Sequence, residues 1–158
     1  MIESPIELHQ IYDLESKKKW QRLFLKEYEG QARPESEKYY GDNVKFFEAI
    51  QNGKKLGFVR CNNKTSFFMD QCKNEVWCLA DAYVLKDHRS HGVLKEMIRE
   101  LVAKHKVKML HIDKGRYYYK HDYYCDLGFT HVVYAPDEVM LWVFHKSFSH
   151  IVEALDDT

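Results

Sequence analysis

The chain has 158 residues, a hydrophobic fraction of 45% and a formal charge of zero from 24 basic and 24 acidic residues. That length favours a single domain, spanning 1–158, with a real core. The charge balance excludes a global attraction to nucleic acid or to an anionic membrane surface. Aromatic residues reach 15%, which favours a strand-rich fold or an aromatic-lined cleft.

In chain order, Ile6 to Tyr12 reads as a strand. Leu14 to Glu29 reads as a helix with Trp20, Leu23, Phe24 and Glu27 at helical spacing, stopped by Gly30. Residues 31–42 are polar, with Pro34 and Gly41, and read as a loop. Asn43 is expected to cap a second helix carrying Val44, Phe47 and Ile50 on one face and ending at Gly53. Lys55 to Cys61 is a strand, Asn62-Asn63-Lys64 a turn, Thr65 to Asp70 a strand and Cys72 to Glu75 another turn. Val76 to Leu85 is a longer, central strand.

The clearest helix runs from His91 to His105, where Val93, Leu94, Met97, Ile98, Leu101 and Val102 form an apolar stripe. Val107 to Ile112 is a strand. Arg116 to Asp126 is a tyrosine-rich helix ended by Leu127-Gly128-Phe129, and His131 to Tyr134 and Val139 to Phe144 close the order as two strands. The tail, Leu155 to Thr158, is expected to fray. This order predicts an α/β (α+β) fold, a mixed and mostly antiparallel sheet with helices on its faces.

Cys61, Cys72, Cys78 and Cys125 match no zinc spacing and no compact disulfide framework, and read as reduced thiols. The start lacks the basic and apolar regions of a signal peptide, and Val76 to Leu85 is too short and too interrupted by Asp81 to span a bilayer. A cytoplasmic protein is expected, with no membrane partner. His88 and His91 lack a third ligand at clear spacing, so no metal is expected. The aromatic and basic run Arg116 to Tyr124 has the ingredients of a single-strand surface. Without net positive charge or a wider basic stripe, it reads instead as a helix with inner and outer tyrosines.

Two segments carry chemistry. Val84-Leu-Lys-Asp-His-Arg-Ser-His-Gly-Val-Leu94 places Arg89 and Gly92 in a turn that opens a helix, where free amides and the positive dipole end suit an anion. Tyr123-Tyr-Cys-Asp-Leu-Gly-Phe129 places a phenol near the end of another helix. Together they suggest a phosphate-bearing cosubstrate beside a proton donor.

These two segments, with the element order, resemble the GNAT acetyltransferase superfamily across nearly the whole chain. The family's Arg/Gln-x-x-Gly-x-Gly/Ala core is matched by Arg89-Ser-His-Gly92-Val-Leu94, and its aromatic-Tyr-x-x-Leu-Gly-Phe motif by Tyr123 to Phe129. The resemblance implies acetyl-coenzyme A as acyl donor and an amine as acceptor. It also implies a fourth strand that splays from the fifth so that the pantetheine arm adds to its open edge. Cofactor contacts are then expected from Leu79, Tyr83, Val84, Leu85, His88, Arg89, Ser90, His91, Gly92, Val93, Leu94 and Tyr117. Tyr124 stands at the family's general-acid position, and Tyr123 is expected to be structural.

Asp81 is a candidate base, and alternation puts it on the face shared with Leu79 and Tyr83. A hydrogen-bonded strand carboxylate is the competing role, and Asp70 or a water relay are the alternatives. Leu94 departs from the usual small residue. It either crowds the turn or turns inward, and its register with Ile98 and Leu101 favours the latter. Tyr117 and Lys120 stand where the family has asparagine and alanine. A catalytically degenerate GNAT-like binding or structural module is therefore the alternative to an active enzyme. The acceptor wall is expected from the first two helices, with Trp20, Tyr39 and Tyr40, and the last strands offer a surface for a homodimer.

Overall fold

The computed structural model describes residues 4–28, 40–63, 77–105, 107–113, 121–126, 129–134 and 138–143. Seven strands form one sheet in the order β1-β2-β3-β4-β5-β7-β6. They are β1 (Glu7–Ile11), β2 (Val44–Gln51), β3 (Lys54–Asn63), β4 (Trp77–Val84), β5 (Val107–Asp113), β6 (Phe129–Tyr134) and β7 (Glu138–Val143). Every neighbouring pair is antiparallel except β4 with β5, which is parallel. The helices are α1 (Leu14–Tyr28), α2 (Val93–Lys104) and the short α3 (His121–Asp126), with a 3-10 turn at Lys86–His88. The mixed, mostly antiparallel sheet with helices on its faces is the expected fold class.

The core lies in two layers. Against one sheet face, α2 buries Val93, Met97, Ile98 and Leu101 on Phe47, Ala49, Leu56, Val59, Cys61, Trp77, Leu79, Val107 and Phe129. Against the other, α1 buries Trp20 on Ile11, Phe46, Phe58 and Tyr83. Trp20 stacks on Phe58 with centroids 5.5 Å apart and donates its indole N–H to Glu48 at 2.9 Å. Trp20 is thus a core residue rather than part of an acceptor wall, and Tyr40 stacks on Phe46 at 5.9 Å. Tyr39 lies outside the described residues. Burial pushes the Cys61 thiol well above its ordinary range, which keeps it protonated and inert.

One element differs from expectation in kind. Residues 44–51 form β2, not a second helix. Val44, Phe47 and Ile50 imitate a helical stripe. In fact Phe46 enters the α1 layer while Phe47 and Ala49 enter the α2 layer, because β2 is buried on both faces. Such strands lose the alternation that marks a half-exposed strand. The Asn52-Gly53 pair that looked like a helix end is a two-residue hairpin, with φ of 54° and 78°, joining Gln51 to Lys54. Positive φ at both positions is what a type I′ turn requires. Asn62 and Asn63, expected in a turn, continue β3 and pair with Cys78 and Trp77. The expected strand at 65–70 and turn at 72–75 lie outside the described residues, as does the first half of the tyrosine-rich helix.

Candidate active site

The site begins with an irregularity in β4. Arg60 pairs with Asp81 and Cys61 with Leu79, so Ala80 is an extra residue, a β-bulge. The bulge switches the parity of the strand. Trp77 and Leu79 point into the α2 layer. Beyond Ala80, Asp81 meets Gln21 of α1, and Tyr83 packs in the α1 layer. The expectation that Asp81 shares a face with both Leu79 and Tyr83 is corrected on this point: it shares one with Tyr83 only.

At the same place β4 leaves β5. The parallel pairs are Trp77↔Val107, Cys78↔Met109 and Leu79↔Leu110, and then β5 runs on beside β7 while β4 stays with β3. Residues 80–84 therefore have a neighbour on one side only among the described residues. Leu85 donates its N–H to the Leu56 carbonyl at 2.9 Å. In an antiparallel pair the inward-bonded residues alternate, so Ala82 and Val84 turn their backbone groups toward the open edge, where the Val84 carbonyl is taken by Arg89. An extended amide-bearing ligand can add there as a strand would.

The edge runs directly into an anion-binding turn. The 3-10 turn is closed by His88 N–H to the Leu85 carbonyl at 2.9 Å and Arg89 N–H to the Lys86 carbonyl at 3.3 Å. Ser90 and Gly92 then take φ of 67° and 79°. Gly92 is the N-cap of α2, in a left-handed conformation that glycine adopts without steric cost. The first helical bond runs from Glu96 N–H to the Gly92 carbonyl at 3.1 Å. The amides of Val93, Leu94 and Lys95 precede it and lie at the positive end of the helix dipole. Leu94 is partly buried and packs on the α2-side core, so it turns inward and does not fill the turn. Val93 is buried beneath it, while Ser90 and His91 are exposed and His88 is half-buried.

Arg89 is committed to the protein. Its Nε donates to the Val84 carbonyl at 2.7 Å, its Nη2 to Glu27 of α1 at 2.5 Å, and its guanidinium lies 5.2 Å from the Tyr83 ring centroid. Lys86 also approaches Glu27, at 3.9 Å.

Asp81 is committed as well. Arg60 Nε donates to its Oδ2 at 2.7 Å and Gln21 Nε2 to the same oxygen at 3.1 Å, with Arg60 Nη1 also donating to Asn62 at 2.8 Å. The Arg60 and Asp81 side chains are 9% and 14% exposed. Tyr123 packs on the α2-side core, and Tyr124 lies beside it on α3. Tyr117 and Asp70 lie outside the described residues.

Sequence reasoning did not single out Gln21, Glu27 or Arg60. Glu27 read as one member of a helical stripe, and Arg60 as one residue of an unremarked strand. Their partners are 60, 62 and 21 positions away, and no local spacing marks such pairs. Among the described residues no group of three His, Cys, Asp or Glu could hold a metal ion, and no helix is long and apolar enough to cross a membrane.

An edge strand that opens beside a helix-opening turn gives an extended, anion-bearing ligand one continuous site. The sequence matches the model of the Acetyltransferase (GNAT) family over residues 6–129, and the chain belongs to that family, whose enzymes use acetyl-coenzyme A as cosubstrate. Solved structures share the fold. An aminoglycoside N-acetyltransferase AAC(6')-Iy in complex with CoA is 17% identical, with 84% of this chain and 92% of that chain covered and a TM-score of 0.58. A possible acetyltransferase from Clostridium difficile 630 is 16% identical, covering 83% and 94% with a TM-score of 0.62. Arabidopsis thaliana Naa50, in complex with the bisubstrate analogue CoA-Ac-MVNAL, is 15% identical, covering 86% and 95% with a TM-score of 0.52. No curated protein matches the sequence.

Proposed function

We propose that the protein moves the acetyl group of acetyl-coenzyme A to a primary amine of a small molecule or a protein. The observation that carries this reading is the continuity of the open β4 edge, at Ala82 and the Val84 N–H, with the amides that open α2. The edge suits the amide-bearing pantetheine arm, and the turn suits the pyrophosphate. Leu94, turned inward, leaves the turn open for the anion. The similar structures named for an aminoglycoside acceptor and for a peptide-bearing analogue support an amine as the second substrate.

In the proposed reaction the neutral amine nitrogen attacks the thioester carbonyl carbon. A C–N bond forms, the C–S bond breaks, and the electron pair leaves on sulfur. The departing thiolate takes a proton, and Tyr124, at the family's acid position, is its proposed donor. The incoming amine must lose a proton. Asp81, already held by Arg60 and Gln21, is better suited to structure than to that task, so a water relay is proposed as the base.

Calorimetric titration with acetyl-coenzyme A tests the reading, with saturable binding expected. No binding up to about 1 mM, equivalent to less than about 4 kcal/mol, overturns it. Tyr124→Phe is expected to slow turnover by about 100-fold, within the range of general acid catalysis. Unchanged turnover rejects that assignment alone.

A further inference from the structure

We propose that Arg89 is a positioning residue rather than a phosphate ligand, and that Glu27 of α1 is the group that holds it in place. The inference rests on the function proposed above and concerns how the coenzyme turn keeps its shape. Residues 84 and 89 bracket the turn, and the Arg89 side chain spans it by donating to the Val84 carbonyl at 2.7 Å. Its second donor is fixed on Glu27 at 2.5 Å, and its plane rests near the Tyr83 ring at 5.2 Å. Lys86, at the other end of the 3-10 turn, approaches the same carboxylate at 3.9 Å. Two cations of the turn therefore converge on one carboxylate in the last turn of α1. The planar guanidinium can serve a carbonyl and a carboxylate in different directions at once, which an ammonium cannot do in the same fixed geometry.

Two readings of Arg89 make opposite predictions for Glu27. If Arg89 exists to neutralise the pyrophosphate, Glu27 competes for it and places negative charge beside an anion site. Removing that charge then tightens coenzyme binding. If Arg89 is a strut, Glu27 holds the turn in the shape that presents the amides of residues 90–95. Removing Glu27 then weakens binding. The geometry favours the strut. Its Nε and Nη2 are already held by the Val84 carbonyl and the Glu27 carboxylate, with the guanidinium beside the Tyr83 ring, so swinging the side chain toward a phosphate would break these contacts. The α2 amides meanwhile offer anion donors with no other work among the described residues.

The experiment is a double-mutant cycle on the full chain, read by calorimetric titration with coenzyme A and by initial rates of acetyl transfer. Glu27→Gln and Arg89→Lys are each expected to raise the Kd for coenzyme A about three- to tenfold. The double variant should be no weaker than the weaker single one, because both changes break the same strut. The KM for acetyl-coenzyme A should rise in parallel while kcat at saturation is kept, and Glu27→Asp should restore part of the affinity. Thermal midpoints of the variants separate turn geometry from global unfolding. Tighter or unchanged binding by Glu27→Gln, or fully additive effects, overturns the inference. Failure of the wild-type chain to bind coenzyme A overturns the functional reading and this inference with it.

Discussion

Asp81→Ala tests the most consequential assignment on the α1 side of the sheet, that this carboxylate is a counter-ion and not a base. The pair it breaks is short, at 2.7 Å, and its side chains are 9% and 14% exposed. Removing one member of a buried pair leaves the other charge uncompensated, at a typical cost of about 3–5 kcal/mol. The lower end applies here because both groups keep slight exposure and Arg60 retains Asn62 as an acceptor at 2.8 Å. About 3 kcal/mol is therefore expected, and for a domain of this size that corresponds to a melting temperature lower by about 6–12 °C. Urea unfolding followed by circular dichroism measures it.

Because the cost comes from the orphaned guanidinium, the double variant Arg60→Met/Asp81→Leu should lie within about 1 kcal/mol of wild type. Asp81→Asn, which keeps an acceptor for Arg60, should retain most of its transfer rate. A loss under about 1 kcal/mol in Asp81→Ala, or a loss of at least about 100-fold in the rate of a folded Asp81→Asn, refutes the counter-ion assignment.

Two further outcomes follow from local geometry. A Cβ on Gly57 would sit 2.2 Å from the Tyr83 carbonyl oxygen and 3.1 Å from the Val84 Cα, both main-chain atoms that cannot rotate away. Gly57→Ala should therefore cost about 2 kcal/mol by urea unfolding, and a neutral effect would contradict the close approach of β3 and β4. At the start of α1, Asp13 accepts the Ser16 N–H at 2.9 Å, and hydrogen bonds from the Ser16 side chain and backbone hold its carboxyl below the ordinary value of 3.8. A lowered folded-state pKa means that this contribution is complete above the ordinary value and is lost as pH falls through the lowered one. The Ser16 amide shift should titrate below pH 3.8, and a midpoint at or above that value removes the cap.

The parts of the fold that were legible in the sequence are those whose cause is local. The stripe Val93, Met97, Ile98 and Leu101 has one buried face, and α2 followed from it. Gly92 and the basic turn before it announced a helix start, and the inward setting of Leu94 followed from its register. What was misread has a non-local cause. β2 has two buried faces because helix layers lie on both sides of the sheet, and its three best-spaced apolar residues imitate a helix. Asn52-Gly53 is a strong hairpin signal, but after a stripe that imitates a helix the same glycine serves equally as a helix stop. The Glu27–Arg89 and Arg60–Asp81 pairs join residues 62 and 21 positions apart, and only the packed sheet brings them together.

The bulge at Ala80 connects the ion pair to the open edge. Were Ala80 paired regularly instead of bulged, strict alternation from Leu79 would point Asp81 into the layer of Met97, Leu101 and Val59, where an unpaired carboxylate would be strongly disfavoured. With it, Asp81 turns to the α1 face and finds Arg60 directly across the β3–β4 pair and Gln21 above. A bulge also bends its strand, and β4 makes its last pair with β5 at Leu79, one residue before Ala80. The local event that rescues a carboxylate from an apolar layer thus coincides with the one that parts the two strands. An Arg60–Asp81 pair holding the bulged register therefore has a consequence beyond stability, because it also fixes where the β4 edge opens toward the turn that Arg89 and Glu27 brace.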